Sequence, residues 1–280
     1  HHTKHIRIGV AATPVYTRAP TVFAATANVL GQVLPGRFVL GLGASSQTIM
    51  GQWNGIALDK PVTKVKETAQ LVRSMLAGEK TSFDGVTLTS HGYRQPPMDQ
   101  PPPIYLAALR PKMIEMAAEF GDGVIFNLWP KSVLPEMMKH VAVGAKRAGK
   151  DPAEVEIVNR AMALVTDDKA EARDRFRAAF GPYYATPVYN AFLAWSGHAE
   201  VARTIADGWA QKDRAKTGGA MSDALIDEVA FIGTEDEVRE RIRAAAEGGV
   251  HTHIIAPITN DKEEAVRTFS AFTAANFSFD

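Results

Sequence analysis

Pro35-Gly36-Arg37-Phe38-Val39-Leu40-Gly41-Leu42-Gly43-Ala44-Ser45-Ser46 is the stretch that decides the fold of this 280-residue chain. Pro35-Gly36 closes whatever precedes it, and Phe38, Val39 and Leu40 form a short, continuously apolar run. A run of that kind, bounded by turn residues, predicts a strand buried on both faces, as in a parallel sheet. It ends in Gly41-Leu42-Gly43, where missing β-carbons let the backbone approach another group closely. A buried parallel strand with a bare tip is where α/β enzymes place ligands. The same glycines also suit a plain tight turn that packs strand on helix, so both uses stay open here.

Outward from this strand, apolar runs and helical periodicity alternate. Strands are predicted at Ile6–Ala12, Ile104–Ala108, Val124–Asn127, Val155–Val165 and His251–Pro257, which with the central one makes six. Amphipathic segments fall between them, at 20–34, 62–77, 112–120, 135–148, 169–179, 235–247 and 262–275. Asp168 with Glu171, and Thr234 with Glu237, have the spacing of helix-capping pairs. Alternation of this kind means βα units and a parallel sheet. Two segments break the rhythm. Residues 81–95 hold Asp84-Gly85 between short β-type runs and predict a hairpin inserted outside the main sheet. Residues 181–227 are aromatic and Gly-rich, and predict irregular helices that form a cover. The chain is expected to be a single domain over 1–280.

Composition narrows the function. Lys plus Arg equals Asp plus Glu at 31 each, so no net field draws the chain to nucleic acid or anionic lipid. With no cysteine, disulfides, thiolate metal sites and a Cys nucleophile are excluded. No apolar run reaches the roughly 18 to 20 residues of a membrane span. His1-His2-Thr3-Lys4 leads straight into a strand without a signal sequence, so a cytoplasmic location is expected.

Several groups could carry chemistry. Gly41–Ser46 falls short of the dinucleotide fingerprint, with Ser where a third glycine belongs, and the acidic Asp59 lies in a loop rather than at a strand end. Ala107-Ala108-Leu109-Arg110 leaves a strand and opens a helix, a setting for phosphate at free N–H groups or an ordinary βα turn. Asn127, and the pair Asn159-Arg160, put polar groups inside apolar runs, where they must be paired or functional. Trp53 and Trp129 follow strand tips and suit either a cofactor wall or a loop–core boundary. His251 and His253 alternate without a nearby carboxylate, so no metal site is expected. No nucleophile stands out, which leaves the chemistry to a cofactor.

The segments Ile6–Gly9, Gly36–Gly43, Pro103–Ala108 and Gly121–Ile125 resemble the luciferase-like monooxygenase superfamily. Gly43–Ser46 with Trp53, Asp59-Lys60-Pro61 and Asp227–Ala230 is similar to its branch that uses the deazaflavin coenzyme F420. The match is collinear from about Lys4 to Pro257. It implies a TIM-type (β/α)8 barrel of the bacterial-luciferase kind. Family members carry about one more strand–helix–strand before the point where this chain begins, so six strands plus two make eight and the first two are expected to be absent. The resemblance further implies a bulge at Ala11, Ala12 and Thr13, with a non-prolyl cis peptide at Ala11–Ala12, against one ring face. Gly41 and Gly43 would line the ring's edge, and Ser45 would lie beside it. Ala108, Leu109 and Arg110 match the family's phosphate-binding turn, in agreement with the turn read above from Ala107 onward, and Ala107 with the polar Asn127, Asn159 and Arg160 completes the expected cofactor residues.

Glucose-6-phosphate dehydrogenase members of that branch place Glu directly after Gly-x-Gly, where this chain has Ala44. Sugar-phosphate oxidation by their mechanism is therefore not expected. The implied activity is hydride transfer between F420 and a small organic substrate, with no catalytic residue identified. Alternatives are an FMN-dependent monooxygenase on the same barrel, or a non-catalytic cofactor-binding barrel. Open strand edges would favour a homodimer.

Overall fold

A computed structural model describes residues 3–279; His1 and His2, which open the run into the first strand, and Asp280 lie outside them. In chain order the elements are β1 (Ile8–Pro14), α1 (Pro20–Val33), β2 (Phe38–Gly43), α2 (Pro61–Leu76), β3 (Ser82–Asp84), β4 (Thr89–His91), β5 (Ile104–Ala107), α3 (Pro111–Phe120), β6 (Gly123–Asn127) and α4 (Leu134–Arg147). They continue with β7 (Glu156–Val165), α5 (Lys169–Tyr184), α6 (Pro187–Leu193), α7 (Ala199–Ala210), α8 (Arg214–Gly219), α9 (Asp223–Val229), β8 (Phe231–Gly233), α10 (Glu235–Glu247), β9 (Thr252–Pro257) and α11 (Lys262–Ser270). Contacts divide the chain into two compact units, His1–Ile125 with Lys139–Glu156, and Phe126–Met138 with Ile157–Asp280. None of the described helices is long and apolar enough to cross a membrane.

Unit one is built on parallel strands in the order β1, β2, β5, β6. β2 is buried along nearly its whole length, as its unbroken apolar run requires. α1, α2 and α3 pack in succession, and α2 turns Val65, Ala69, Val72 and Leu76 inward. β3 and β4 form the antiparallel hairpin, closed where the Gly85 N–H donates to the Leu88 carbonyl.

The decisive irregularity lies between β1 and β2. Val10 pairs with Leu40 and Thr13 with Leu42, so Ala11 and Ala12 together stand opposite the single residue Gly41. That is a bulge, and the Ala11–Ala12 peptide within it is cis, where the resemblance puts it. A β-carbon at Gly41 would run into the Val10 carbonyl oxygen and press on Ile125, so only glycine lets the two strands meet here.

In unit two β7 is the long strand. β9 pairs with it from Val158 to Ala163, and β8 from Ala163 to Val165. One face of β7 supplies Met162 and Leu164 to a cluster with Phe176, Tyr184, Leu193, Ile205 and Ile226. The other supplies Ala161, Ala163 and Val165 to a cluster with Val238 and Ile242 of α10. Thr234 and Glu237 form a reciprocal capping box, and the Asp168 carboxylate accepts from the Glu171 N–H. All six strands expected from sequence are present. β8 is a seventh, so the count of six is corrected: three residues between Ala230 and the cap Thr234 are too few to show a period. Residues 181–227 are also better ordered than expected, forming α6 to α9 with a wide turn at Ala194–His198 where Gly197 takes φ +93°.

His253 sits on β9 with both ring nitrogens buried and unpartnered, stacked on Phe279 at 6.1 Å. Burial pushes its pKa down to about 4. The unfolded chain therefore binds a proton near pH 6.5 that the folded chain refuses, and stability falls with pH between those values.

Two outcomes follow for stability. Gly41→Ala should destabilise the protein by about 1–3 kcal/mol through overpacking against backbone, whereas Gly43→Ala should cost less; urea melts of both variants measure the difference, and equal stability of Gly41→Ala and the parent refutes the close-approach account. Lowering the pH from 6.5 to 4 should cost the parent up to about 3 kcal/mol more than it costs His253→Leu, read from parallel denaturant melts at each pH.

Candidate functional site

The tips of β1, β2 and β5 in unit one meet at three small residues. A β-carbon built on Gly43 would lie 3.1 Å from that of Ala107 and 3.5 Å from that of Ala12. Ala12 and Ala107 are half-buried and Gly43 between them is buried, so these strand ends meet in one patch of side chains no larger than methyl. Ala11 is exposed beside it, and the half-buried Thr13 accepts a hydrogen bond from Arg18 at 3.3 Å. The half-buried Ser45 takes φ +69°, which turns the chain sharply after Gly43. Ser46 Oγ is spent locally, accepting from the Ile49 N–H.

Just beyond β1, Tyr16 ties the following loop down: its hydroxyl donates to the Asp59 carbonyl at 2.5 Å. Burial pushes that phenol up to about 12, with Asp59 adding to the effect, so the donor persists at any physiological pH. Trp53, at the end of the Thr48–Trp53 turn, is 72% exposed.

The turn after β5 supplies the other half of the patch. Leu109 is half-buried and Arg110 is exposed at the N-cap of α3, where its side chain makes no capping bond and Pro111 occupies the first turn. The positive end of the helix dipole and one free guanidinium thus face outward together. The Ala108 N–H, however, is committed to the Ile125 carbonyl at 3.0 Å, and its side chain is buried. Gly41 likewise faces Val10 and Ile125 rather than the patch of small residues. The structure brings Ala12, Gly43 and Ala107 together; Gly41 and Ala108 shape the backbone behind them.

The remaining expected residues lie in unit two. Asn159 is 1% exposed, and its Oδ1 accepts the indole N–H of Trp129 at 2.9 Å. Trp129 is 3% exposed and edge-on to Phe126, so of the two uses open to it the structure selects the core. Asn127 donates to the Tyr189 hydroxyl at 2.8 Å, and its Oδ1 is buried without a partner. Arg160 is half-buried on β7. Tyr189 is the residue sequence reasoning missed; the only signal was its place in an aromatic-rich segment.

The Asp227–Ala230 tract proves structural. Asp227 pairs with Arg173 at 2.7 Å, its carbonyl accepts from Lys131 at 2.6 Å, and Glu228 accepts from the Ser132 N–H. Burial, aided by the Arg241 charge, pushes Lys131 down to about 8. His251 Nδ1 accepts from the Ile157 N–H, and no cluster of three or more metal-ligating residues exists among the described residues.

A family model described as luciferase-like monooxygenase matches residues 1–252. The chain is 32% identical over 274 residues to a 5,10-methylenetetrahydromethanopterin reductase of Methanolobus tindarius, a match covering 95% of this chain and 82% of the relative. Among solved structures, the coenzyme F420-dependent tetrahydromethanopterin reductase from Methanopyrus kandleri superposes with a TM-score of 0.76 at 21% identity, covering 97% of this chain and 85% of that one. An F420-dependent secondary alcohol dehydrogenase, solved with an F420–acetone adduct, also gives 0.76, at 20% identity and with 99% and 81% covered. At such identities these two likenesses speak to fold alone, and the fold is the α/β, TIM-barrel type of the luciferase-like proteins. With a family model over most of its length and a relative of 32% identity, the chain is an enzyme of the luciferase-like monooxygenase family.

Proposed function

We propose that the chain is an F420-dependent oxidoreductase that moves a hydride between the deazaflavin and a small organic substrate. The observation that carries this reading is the Gly43 position, where a β-carbon would fall between those of Ala12 and Ala107. A flat tricyclic ring needs a surface without protruding side chains, and three adjoining strand tips offer one. F420, when bound, supplies the hydride-carrying carbon, and the protein contributes orientation and exclusion of water. Ala11, Ala12 and Thr13 would support the ring, Gly43, Ser45 and Ala107 would border it, and Leu109 and Arg110 at the start of α3 would hold a phosphate. Gly41 and Ala108 would act behind this surface by keeping the strands close.

The names of the relatives favour F420 over FMN. A reductase matches at 32% identity, and both compared structures with a TM-score of 0.76 are described as F420-dependent. A homodimer belongs to the same proposal. Ile8 and Val10 of β1 and Val29 and Val33 of α1 are exposed apolar side chains, the kind of surface a second copy would cover.

Titration of the protein with F420 and with FMN, followed by cofactor fluorescence, should give saturable binding to F420 and none to FMN. Gly43→Leu should weaken F420 binding about tenfold or more, or about 1.4 kcal/mol, while leaving the fold intact by circular dichroism. Tight FMN binding without F420 binding would reverse the assignment. Sedimentation at micromolar concentration should show a dimer, and a monomer dismisses that element.

A further inference from the structure

Seven arginines of unit two are half-buried, and six of them are satisfied. Arg173 pairs with Asp227, Arg175 with Glu264, Arg177 with Asp223 and Arg239 with Glu235. Arg241 and Arg243 donate to the carbonyls of Ile232 and Ser278. Arg160 has neither a hydrogen bond nor an ion pair among the described residues. Its neighbours on the same face of β7 are Val158, Met162 and Leu164, all buried and apolar. An arginine half-buried among apolar side chains without a counter-charge is suited to meet the negative charge of a ligand.

A second observation lies at the border of the cluster to which Met162 and Leu164 of that face belong. Tyr189 packs against the group that holds Met162 and Leu164. Its hydroxyl accepts from Asn127 Nδ2 at 2.8 Å, and no acceptor for the hydroxyl's own proton exists among the described residues. Burial pushes this phenol up to about 12, against the opposing pulls of the Asn127 bond and the Arg160 charge, so the proton stays in place at neutral pH. The ring is fixed edge-on to Tyr183 and Tyr184. One unpaired cation and one oriented O–H donor match a single negative charge, and the planar fork of arginine matches a carboxylate's two oxygens. A phosphate, with close to two charges, would leave part of its charge unmet.

We propose that Arg160 and Tyr189, with Asn127 positioning the Tyr189 hydroxyl, form a subsite for a carboxylate carried by the substrate. The assignment rests on the oxidoreductase reading for the word substrate, but the subsite itself does not need F420. It makes the preferred substrate class organic acids rather than their esters or amides.

The test uses the full chain with benzoate as probe, benzamide as the uncharged control, and calorimetry and thermal melts as readouts. Benzoate should bind saturably and raise the melting temperature, and benzamide should do neither. Arg160→Met should weaken benzoate about tenfold or more, the range of a charge-assisted bond, and Tyr189→Phe should weaken it less. Without ligand, Arg160→Met should melt at or above the parent's temperature, because it removes an unpaired charge from an apolar face. F420 affinity should be unchanged in that variant, so the carboxylate subsite replaces the cofactor role expected of Arg160 from sequence. A lower ligand-free melting temperature for Arg160→Met would mark a structural arginine and overturn the proposal. So would equal benzoate binding in parent and variant, no saturation by tens of millimolar, or loss of F420 affinity in the variant, which would make Arg160 a cofactor residue. Failure of the parent to bind F420 while it still binds benzoate through Arg160 would sink the oxidoreductase reading and leave the carboxylate subsite standing.

Discussion

The structure of unit one depends on how closely β1 and β2 approach at Gly41. Two residues of β1 face one of β2 there, and the strands can stay in register on either side only because nothing projects from Gly41 toward the Val10 carbonyl. Everything downstream inherits that contact. Thr13 and Pro14 reach their partners Leu42 and Gly43, the Val15 N–H closes on the Gly43 carbonyl, and the tip of β1 is delivered beside the tip of β2. The small-residue patch at Ala12, Gly43 and Ala107 is a consequence of backbone packing, not of any polar group placed to bind a ligand.

Much of this was legible in the sequence, and for identifiable reasons. Ile104–Ala107 and Val124-Ile125-Phe126 are apolar without interruption, which buried parallel strands require, and Thr234 with Glu237 carries its capping box in its spacing. The bulge was different. No local signal in Val10-Ala11-Ala12-Thr13 announces it, and it was reached through resemblance alone. β8 stayed hidden because Phe231–Gly233 is shorter than any window in which a period can be seen. α6 and α8 stayed hidden because seven and six residues, glycine-rich in α8, have little intrinsic helicity. They hold their shape through tertiary burial of residues such as Phe192, Leu193 and Thr217.

Partnerships across long separations were the least legible of all. Trp129 meets Asn159 thirty residues on, and Asn127 meets Tyr189 sixty-two residues on. A polar residue inside an apolar run signals only that some partner or ligand exists. Asn159 and Arg160, adjacent in sequence, show how little that decides. Alternation along β7 sends one to an indole N–H, with its own amide nitrogen buried and unpartnered, and leaves the other without a counter-charge.

These features also dictate which substitutions are informative. A site whose working parts are glycine and alanine is nearly invisible to alanine scanning, because there is little to truncate. Its function resides in volume that is not filled, so information comes from adding atoms, and the cost of each addition depends on what lies ahead of the new carbon. At Gly41 that is a backbone carbonyl, and the fold must give way. At Gly43 it is the methyl groups of two half-buried alanines, and the fold can absorb the change more readily than the small-residue patch can. The two glycines stand two residues apart on one strand, yet one belongs to stability and the other to recognition.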